Sequence, residues 1–341
     1  MKTVVMPAED SHAIKSAARL INKGQVVAFP TETVYGLGAN AFDADACMKI
    51  FAAKNRPADN PLIVHISNRD MLSSIASEIK PVAYKLMDAF WPGPLTLIMK
   101  KAENIPEVVT AGLNTVAVRM PDHKDALALI EASGVPIAAP SANSSGRPSP
   151  TSAMHVFEDM DTKIPLILDG GSSYAGVEST ILDISGDIPA LLRPGIIPPE
   201  LLSKVTECEI LIDKGIITPI QDGSAPRAPG MKYTHYSPKA NVVVCESPNK
   251  FETIINAASH AEGSTAVICL EERRELYEES GLFAYIRSAE DARGLCAILF
   301  DALRSADLLG VENIFCEGIS ADGIGLAYMN RLLKAAGYQT I

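Results

Sequence analysis

The sequence predicts an α/β protein with two domains. Amphipathic helical segments alternate along the chain with short runs rich in β-branched and apolar residues, which is the pattern of a layered α/β fold. The chain has 341 residues, of which 47% are hydrophobic and 21% charged. Because one hydrophobic core seldom organises more than about 250–300 residues, we expect two cores.

The N-terminal part has the clearest signals for regular structure. Ser11 is placed to cap a helix that runs through Lys23 and stops at Gly24, and a strand over 25–29 follows. We expect a glycine-containing loop to lead to Gly38, and a second helix to occupy 43–54. Further strands are expected at 62–66, 95–99, 115–119, 136–139, 166–168 and 179–184, and further helices near 80–90, 123–132 and 151–158.

Residues 213–240 have the composition of a linker. They contain four prolines, at positions 219, 226, 229 and 238, and no sustained apolar period. Strands at 242–245, 266–270, 283–286 and 313–317 then alternate with helices at 249–260, 289–309 and 324–336, which predicts a small Rossmann-like layer. The predicted domains are therefore 1–212 and 241–341, with the linker between them.

Charge and hydropathy narrow the possible function classes. The net charge is −11, and acidic residues outnumber basic ones both before and after residue 206, which argues against a dedicated nucleic-acid-binding module. Apolar runs fall far short of the roughly 20 residues of a membrane span, and the N-terminus lacks the apolar stretch of a signal peptide. We expect a cytoplasmic protein without membrane contact. Its six cysteines lack zinc-site spacing, so we expect buried reduced thiols and no structural metal.

A glycine motif follows the first predicted strand. Gly36-Leu37-Gly38-Ala39-Asn40-Ala41 matches G-x-G-x-x-A, and Asp59 follows about 20 residues later, as in a dinucleotide fingerprint. That fingerprint opens at the strand end, whereas here several residues intervene, so NAD binding is not expected. The segment is either a glycine turn or a loop whose Thr31 and Thr33 hydroxyls face a ligand.

Three further segments carry polar groups with two possible roles. Lys54-Asn55-Arg56 either complements a helix dipole or binds phosphate with a point charge and a guanidinium fork. His65, in a β-branched strand, is either a core histidine or a ligand. The segment 140–149, Pro-Ser-Ala-Asn-Ser-Ser-Gly-Arg-Pro-Ser, is either a surface turn or an anion-binding loop. The chain has no P-loop, G-x-S-x-G elbow or H-E-x-x-H helix.

Seven short motifs follow one another along the chain. They are Phe29-Pro30-Thr31-Glu32-Thr33-Val34-Tyr35-Gly36-Leu37, Lys54-Asn55-Arg56, Trp91-Pro92-Gly93-Pro94-Leu95-Thr96, Val118-Arg119-Met120-Pro121, Ser141-Ala142-Asn143, Glu178-Ser179-Thr180 and Arg193-Pro194-Gly195. Taken in this order, they resemble the YrdC-like family of threonylcarbamoyl-AMP synthases. The resemblance covers about 11–206, and Pro229 to Tyr236 with the C-terminal region look like the longer, two-domain form of that family.

This resemblance implies a fold and an activity. It implies a YrdC-like domain with a twisted open α/β sheet, an ordered linker that forms a flap over the active site, and a smaller C-terminal Rossmann-like domain. The implied enzyme is a nucleotidyltransferase, L-threonylcarbamoyladenylate synthase, which makes threonylcarbamoyl-AMP and pyrophosphate from L-threonine, bicarbonate and ATP with Mg2+. A downstream transferase would use the product to modify tRNA, so contact with tRNA would be indirect. The alternative is an RNA-binding factor that uses the same fold without this catalysis.

The resemblance also implies roles for individual residues. Arg119 would pair with the threonine carboxylate, and Ala228 stands where a serine would be expected. The catalytic group would be Lys54, Arg56 and Asn143. The threonine site would comprise Thr33, His65, Arg119, Ala139 and Ser179. The ATP site would comprise Arg56, Asn60, Thr115, Ser141, Ser149, Arg193 and, in preference to Tyr233, Tyr236.

Overall fold

The structure is a computed structural model that describes residues 2–216 and 236–341. It contains two separate β-sheets with helices packed on them, which confirms the α/β prediction. None of the helices in these two ranges is long and apolar enough to span a membrane. The strands are β1 (Val4–Pro7), β2 (Val27–Phe29), β3 (Gly36–Asn40), β4 (Ile63–His65), β5 (Ala76–Glu78), β6 (Leu95–Lys101), β7 (Thr115–Arg119), β8 (Ile137–Ala139), β9 (Leu166–Asp169), β10 (Thr180–Asp183), β11 (Ala190–Arg193), β12 (Leu211–Ile212), β13 (Asn241–Cys245), β14 (Thr265–Leu270), β15 (Tyr285–Ala289) and β16 (Asn313–Glu317).

Helices cover both sheets. They are α1 (Ser11–Asn22), α2 (Ala44–Lys54), α3 (Pro81–Phe90), α4 (Glu107–Thr110), α5 (Lys124–Ser133), α6 (Ala153–Met160), α7 (Pro199–Thr206), α8 (Lys250–His260), α9 (Arg274–Ser280), α10 (Ala292–Leu308) and α11 (Gly325–Ala335). Short 3-10 turns occupy Arg69–Ser74, Lys214–Ile216 and Glu271–Arg273. The elements that were not predicted include the short β5, β12 and α4, in which so few residues carry no readable period, and also the longer helices α7 and α9.

The large sheet is mixed and has twelve strands. Its order is β1-β9-β2-β3-β8-β4-β7-β6-β10-β11-β12, with β5 paired to β6. In its centre, β4 is parallel to β7, and β6 is antiparallel to β7. Neighbours in the sheet therefore come from distant parts of the chain, so side chains from several motifs meet at the middle strands.

The first helix shows how the local sequence sets its ends. Asp10 is the N-cap, and its carboxylate accepts a hydrogen bond from the His12 N–H at 2.8 Å. The prediction that Ser11 caps this helix was one residue late, since an aspartate satisfies the free N–H groups as well as a serine does. The apolar face packs on α5 through Ala13, Ala17 and Ile21.

The glycine motif lies in a strand. Residues 36–40 form β3, paired antiparallel with β2 on one side and with β8 on the other, so the prediction of a loop to Gly38 was wrong. A Cβ at Gly38 would lie 2.8 Å from the Phe29 ring and 2.5 Å from the Ile137 side chain. The two glycines thus make room for the Phe29 ring, a packing requirement that a dinucleotide fingerprint does not have.

The second domain has a four-stranded sheet that is parallel throughout, in the order β13-β16-β14-β15. Helices α8 to α11 follow its strands, in agreement with the predicted Rossmann-like layer. Five of the six cysteines are buried and all are unpaired, but Cys208 is exposed. Its expected burial was wrong because it lies in the turn that follows α7 rather than in a strand.

The two domains are in close contact. One hydrophobic cluster combines Val177 and Ile196 of the first domain with Leu299 and Phe300 of α10. Gly176 has a φ of +71°, and a Cβ at this position would lie 2.4 Å from the Ala297 main chain. The loop before β10 therefore approaches α10 as closely as its main chain allows, which fixes the first domain against the second.

Candidate active site

An open cavity lies at the middle of the large sheet, with about 650 Å³ of empty space, part of which is continuous with solvent. It gathers every predicted site residue except Lys54 and Thr115. Three arginines and one carboxylate are part of its wall, so the wall has an excess of positive charge. The lining residues are Thr31, Thr33, Val34, Tyr35, Gly36, Arg56, Asn60, Ile63, His65, Arg119, Ala139, Pro140, Ser141, Asn143, Ser149, Glu178, Ser179, Arg193 and Tyr236.

Sheet register explains one side of this cavity. His65 of β4 pairs with Arg119 of β7, which pairs in turn with Thr96 of β6. Residues in register across a sheet point their side chains to the same face. The Thr96 hydroxyl then reaches the Ser179 hydroxyl at 2.8 Å. Three motifs that are far apart in sequence therefore form one row of polar groups.

Arg119 is buried and held in a fixed orientation. Its Nη2 donates to the Glu32 carboxylate at 2.5 Å, its Nη1 to the Thr33 hydroxyl at 2.9 Å, and its Nε to the Gly93 carbonyl at 3.3 Å. A guanidinium has five N–H bonds, so two remain for a ligand. Such a fork is suited to a carboxylate.

His65 is buried beside this arginine and is uncharged. Burial and the Arg119 cation lower the pKa of His65 to about 3. Its Nδ1 lies 3.1 Å from the Ile63 carbonyl, and its ring meets Phe29 edge to face at 5.8 Å. A neutral imidazole can act as a hydrogen-bonding group in the cavity without adding charge.

Lys54 lies behind the wall and supports it. Its Nζ donates to the carbonyls of Ser141 and Asn143, each at 2.5 Å, and to the Asn143 Oδ1 at 3.2 Å. Burial and the Arg56 cation lower the pKa of Lys54, while three acceptors match the three N–H bonds of an ammonium. The lysine thus holds the segment 141–143 in place, and the structure does not bring its amine to the cavity surface.

Arg56 and Asn60 line the cavity next to that segment. Arg56 donates from Nη2 to the Asn60 carbonyl at 2.9 Å, and its guanidinium lies over the Phe51 ring. The Asn60 side chain is fully buried, and neither its Oδ1 nor its Nδ2 has a partner in the described part of the chain. A buried amide without partners is costly, so a polar ligand would satisfy it.

Arg193, Ser179, Glu178 and Ser149 form a further part of the cavity wall. Arg193 donates to the main-chain carbonyl and to the hydroxyl of Ser179, both at 3.1 Å. The Ser149 hydroxyl donates to the Glu178 carboxylate at 2.6 Å. Burial, opposed in part by the Glu178 charge, lowers the pKa of Arg193 to about 10, so it stays a cation at neutral pH.

Tyr236 closes the cavity from the side of the second domain. Its ring stacks on Phe300 of α10 with centroids 5.0 Å apart, and its φ is +71°. Burial and the Glu178 charge raise the pKa of Tyr236 to about 12. Most of the predicted flap, 213–240, lies outside the described residues, and so does Tyr233. The preference for Tyr236 over Tyr233 stays a prediction.

Thr115, a predicted ATP-site residue, lies away from this group. It begins β7, whereas Arg119 ends that strand, so about 13 Å of extended chain separates them. It pairs with Lys100 of β6 and does not line the cavity.

Two carboxylates with evident site contacts were not predicted as site residues. Glu32 holds Arg119, and Glu178 lines the cavity between Ser149 and Arg193. Glu32 lies in the motif 29–37 and Glu178 in the motif 178–180, and their place in these motifs was the only signal for them in the sequence. Which cation each carboxylate faces depends on strand pairing, which local sequence does not specify.

Fold and site together define a two-domain α/β protein with an open cavity whose wall has an excess of arginines over carboxylates. The family model described as "Telomere recombination" (Sua5_yciO_yrdC) matches residues 19–195, and the model described as "Threonylcarbamoyl-AMP synthase, C-terminal domain" matches residues 197–337. The chain therefore belongs to the YrdC-like family, in its two-domain form.

Individual relatives agree over almost the whole chain. The threonylcarbamoyl-AMP synthase of Pyrococcus abyssi is 49% identical over 333 residues, 96% of this chain and 95% of the relative. The enzyme of the same name from Bacillus subtilis is 48% identical over 330 residues, 96% of this chain and 94% of the relative. The crystal structure of P. abyssi Sua5 complexed with L-threonine superposes with a TM-score of 0.90 at 45% identity, covering 99% of both chains.

Proposed function

We propose that this chain is an L-threonylcarbamoyladenylate synthase, which converts L-threonine, bicarbonate and ATP into threonylcarbamoyl-AMP and pyrophosphate. Relatives named threonylcarbamoyl-AMP synthase match almost its full length, and one solved relative was crystallised with L-threonine. The observation that carries the proposal is that three arginines line one cavity. The guanidinium of Arg119 can bind a carboxylate through two N–H bonds, and Arg56 and Arg193 are the two further cations. Those groups are what an amino acid and a triphosphate require.

Arg119 and its neighbours would bind threonine. The two remaining N–H bonds of Arg119 would take the carboxylate, while Thr33 and Ser179 would contact the rest of the amino acid. The amine would combine with bicarbonate to give a carbamate and water. Because Glu32 holds the guanidinium in place, the ligand would meet a fork that is already oriented, which lowers the cost of binding.

Arg56, Arg193 and the segment 141–143 would bind ATP. A carbamate oxygen would attack the α-phosphorus, and pyrophosphate would leave. Catalysis of this kind depends on positioning and on neutralising charge, so no side-chain nucleophile is needed. Asn60 supports this assignment, since its buried amide needs a polar partner of the kind that a nucleotide offers.

Mg2+ would enter with the ATP phosphates. Glu178 is the one carboxylate among the described cavity residues, and it is bound to Ser149 and Arg331. Hard cations prefer several oxygen ligands, so the phosphates would supply most of them. A cytoplasmic location, where the product would be used for tRNA modification by a separate transferase, is part of the same proposal.

The test is an incubation of the purified chain with ATP, 13C-labelled bicarbonate and one amino acid at a time. We expect pyrophosphate release that depends on threonine, and a nucleotide product whose mass includes threonine and the label. Incubations with serine and without amino acid are the controls. Equal pyrophosphate release without any amino acid would refute the proposal.

A further inference from the structure

A buried arginine of the second domain contacts the wall of the cavity. Arg331 of α11 is fully buried. It donates from Nε to Glu178 at 2.7 Å, from Nη2 to the Pro194 carbonyl at 2.9 Å and from Nη1 to Asn330 at 2.7 Å. Two of these three acceptors belong to the first domain. Since an unpaired buried guanidinium would be very costly, this geometry ties α11 to the first domain.

Glu178 transmits that contact to the cavity. One of its carboxylate oxygens accepts from Arg331, and the other accepts from the Ser149 hydroxyl at 2.6 Å. The next residue, Ser179, is held by Arg193. Arg331 is therefore one hydrogen-bonded residue away from Ser149 and lies against the same wall as Arg193.

The ion pair between Arg331 and Glu178 also affects the net charge of the cavity wall. Burial alone would raise the pKa of Glu178, but the Arg331 and Arg193 cations and the Ser149 hydroxyl lower it to about 2. The side chain is thus an anion at neutral pH, in a cavity that would receive a triphosphate. Arg331 supplies a positive charge that, together with Arg193, offsets this carboxylate. Without Arg331, more of the carboxylate's negative charge would remain in the wall and repel phosphate.

A second buried arginine supports the same segment differently. Arg304 of α10 donates to the Pro148 carbonyl from Nη2 at 2.6 Å and to Asp159 at 2.7 Å. Asp159 in turn accepts from the Ser144 main chain at 3.0 Å. These contacts fix the main chain beside Ser149, whereas the Arg331 contact fixes the side-chain charges.

We propose that Arg331 is a positioning residue for ATP, acting through Glu178 on Ser149 and Arg193. This inference rests on the proposed function. It gives the second domain a defined role in the site, because Arg331 of α11 supplies a positive charge that offsets Glu178 in the part of the cavity wall formed with Ser149 and Arg193. It also explains why a carboxylate is tolerated in that wall.

The test compares three variants of the full chain. Arg331→Met removes the cation, and Arg331→Met with Glu178→Gln also removes the carboxylate it neutralises. Arg273→Met is the matched control: Arg273 donates to the buried Glu317 at 2.6 Å, and both residues belong to the second domain. Thermal melts confirm folding, calorimetric titration gives the affinity for ATP, and initial rates give KM for ATP and threonine.

We expect Arg331→Met to weaken ATP binding and to raise KM for ATP by roughly 10- to 100-fold, the usual range for loss of a charge-assisted contact. KM for threonine should rise much less. The added Glu178→Gln should restore part of the loss, which a purely structural defect would not allow. Arg273→Met should lower the melting temperature without changing KM for ATP.

Three results would overturn the inference. They are wild-type ATP affinity in Arg331→Met, an equal loss in Arg273→Met, and no recovery in the double variant. If the wild-type chain binds ATP but forms no threonine-dependent product, the proposed function fails while the ATP titrations still decide the role of Arg331. If it does not bind ATP at all, both fail.

Discussion

The two halves of the cavity are built in different ways. In the predicted threonine half, His65, Arg119 and Thr96 lie in one row of a single sheet, and their partners belong to the same domain. In the predicted nucleotide half, Ser149 donates to Glu178, and Glu178 is bound by Arg331 of the second domain. One half is complete once the large sheet has formed, whereas the other also needs the domain interface.

Replacing Arg119 by alanine should have the largest effect of the substitutions considered, because it removes the main cation of the threonine half. We expect kcat/KM for threonine to fall more than about 100-fold, since the variant loses a charged, two-pronged contact. Initial rates of pyrophosphate release at varied threonine concentration measure this. ATP affinity should stay close to that of the wild type.

Arg119→Lys is the control for folding, because it keeps a cation beside the buried Glu32. It should retain stability but only part of the activity, since lysine lacks the fork. Normal threonine kinetics in both variants would show that this row of the sheet does not bind the amino acid.

Replacing Gly176 by alanine should disturb the nucleotide half through the interface. The new Cβ would lie 2.4 Å from the Ala297 main chain, and φ is positive at this position. We expect the free energy of unfolding to fall by about 3 kcal/mol and KM for ATP to rise more than KM for threonine. Denaturant unfolding and initial rates measure the two effects.

Gly134→Ala is the matched control for that substitution. Gly134 has a φ of +65°, but a Cβ there would have nothing within 4 Å. It should cost only about 1 kcal/mol, from the backbone conformation alone. Equal destabilisation by the two substitutions would mean that the loop before β10 does not need its close approach to α10.

Replacing Arg56 by alanine should weaken ATP binding in the nucleotide half while leaving the interface between the domains intact. We expect ATP affinity to fall roughly 10- to 100-fold, because one cation is lost from the wall. Threonine affinity should not change, as calorimetric titration with each ligand would show. The control is Lys49→Ala. Lys49 belongs to α2, the helix that ends just before Arg56; its amine donates to the Gly24 carbonyl, and it does not line the cavity. Equal loss of threonine binding in Arg56→Ala would contradict the division into halves.

The smallest expected effect is on how the free energy of unfolding depends on pH, through the buried His155 at the domain interface. Burial and the Arg304 cation lower the pKa of His155 to about 4, from an ordinary value of 6.5. Between these two values the unfolded chain binds a proton that the native chain does not, so stability falls as pH falls through this window. His155→Gln should reduce that fall by about 2 kcal/mol between pH 7 and pH 5.

Denaturant unfolding at several pH values measures this contribution. His12, on α1, provides the control, because it is exposed and lies outside the interface. If His155→Gln and His12→Gln show the same dependence on pH as the wild type, the buried imidazole at the interface is not a source of acid sensitivity.

Much of the fold was readable from local sequence. β7 has the predicted bounds, Thr115–Arg119, because its alternating β-branched residues give a clear period. β3 was misjudged because two glycines in five residues are typical of a loop, and only the Phe29 ring packed over them favours a strand. The Ser11 cap was misplaced by one residue because adjacent polar side chains compete for that role.

The sequence by itself determined the family and most of the cavity residues, because most of the motifs place their polar groups beside a strand end and one places them at the end of α2. Tertiary structure alone decided which charges meet. Arg331 and Glu178 are 153 residues apart and lie in different domains, so no periodicity or spacing connects them. Strand order and domain packing bring them together, and these depend on long-range burial of apolar surface rather than on local pattern.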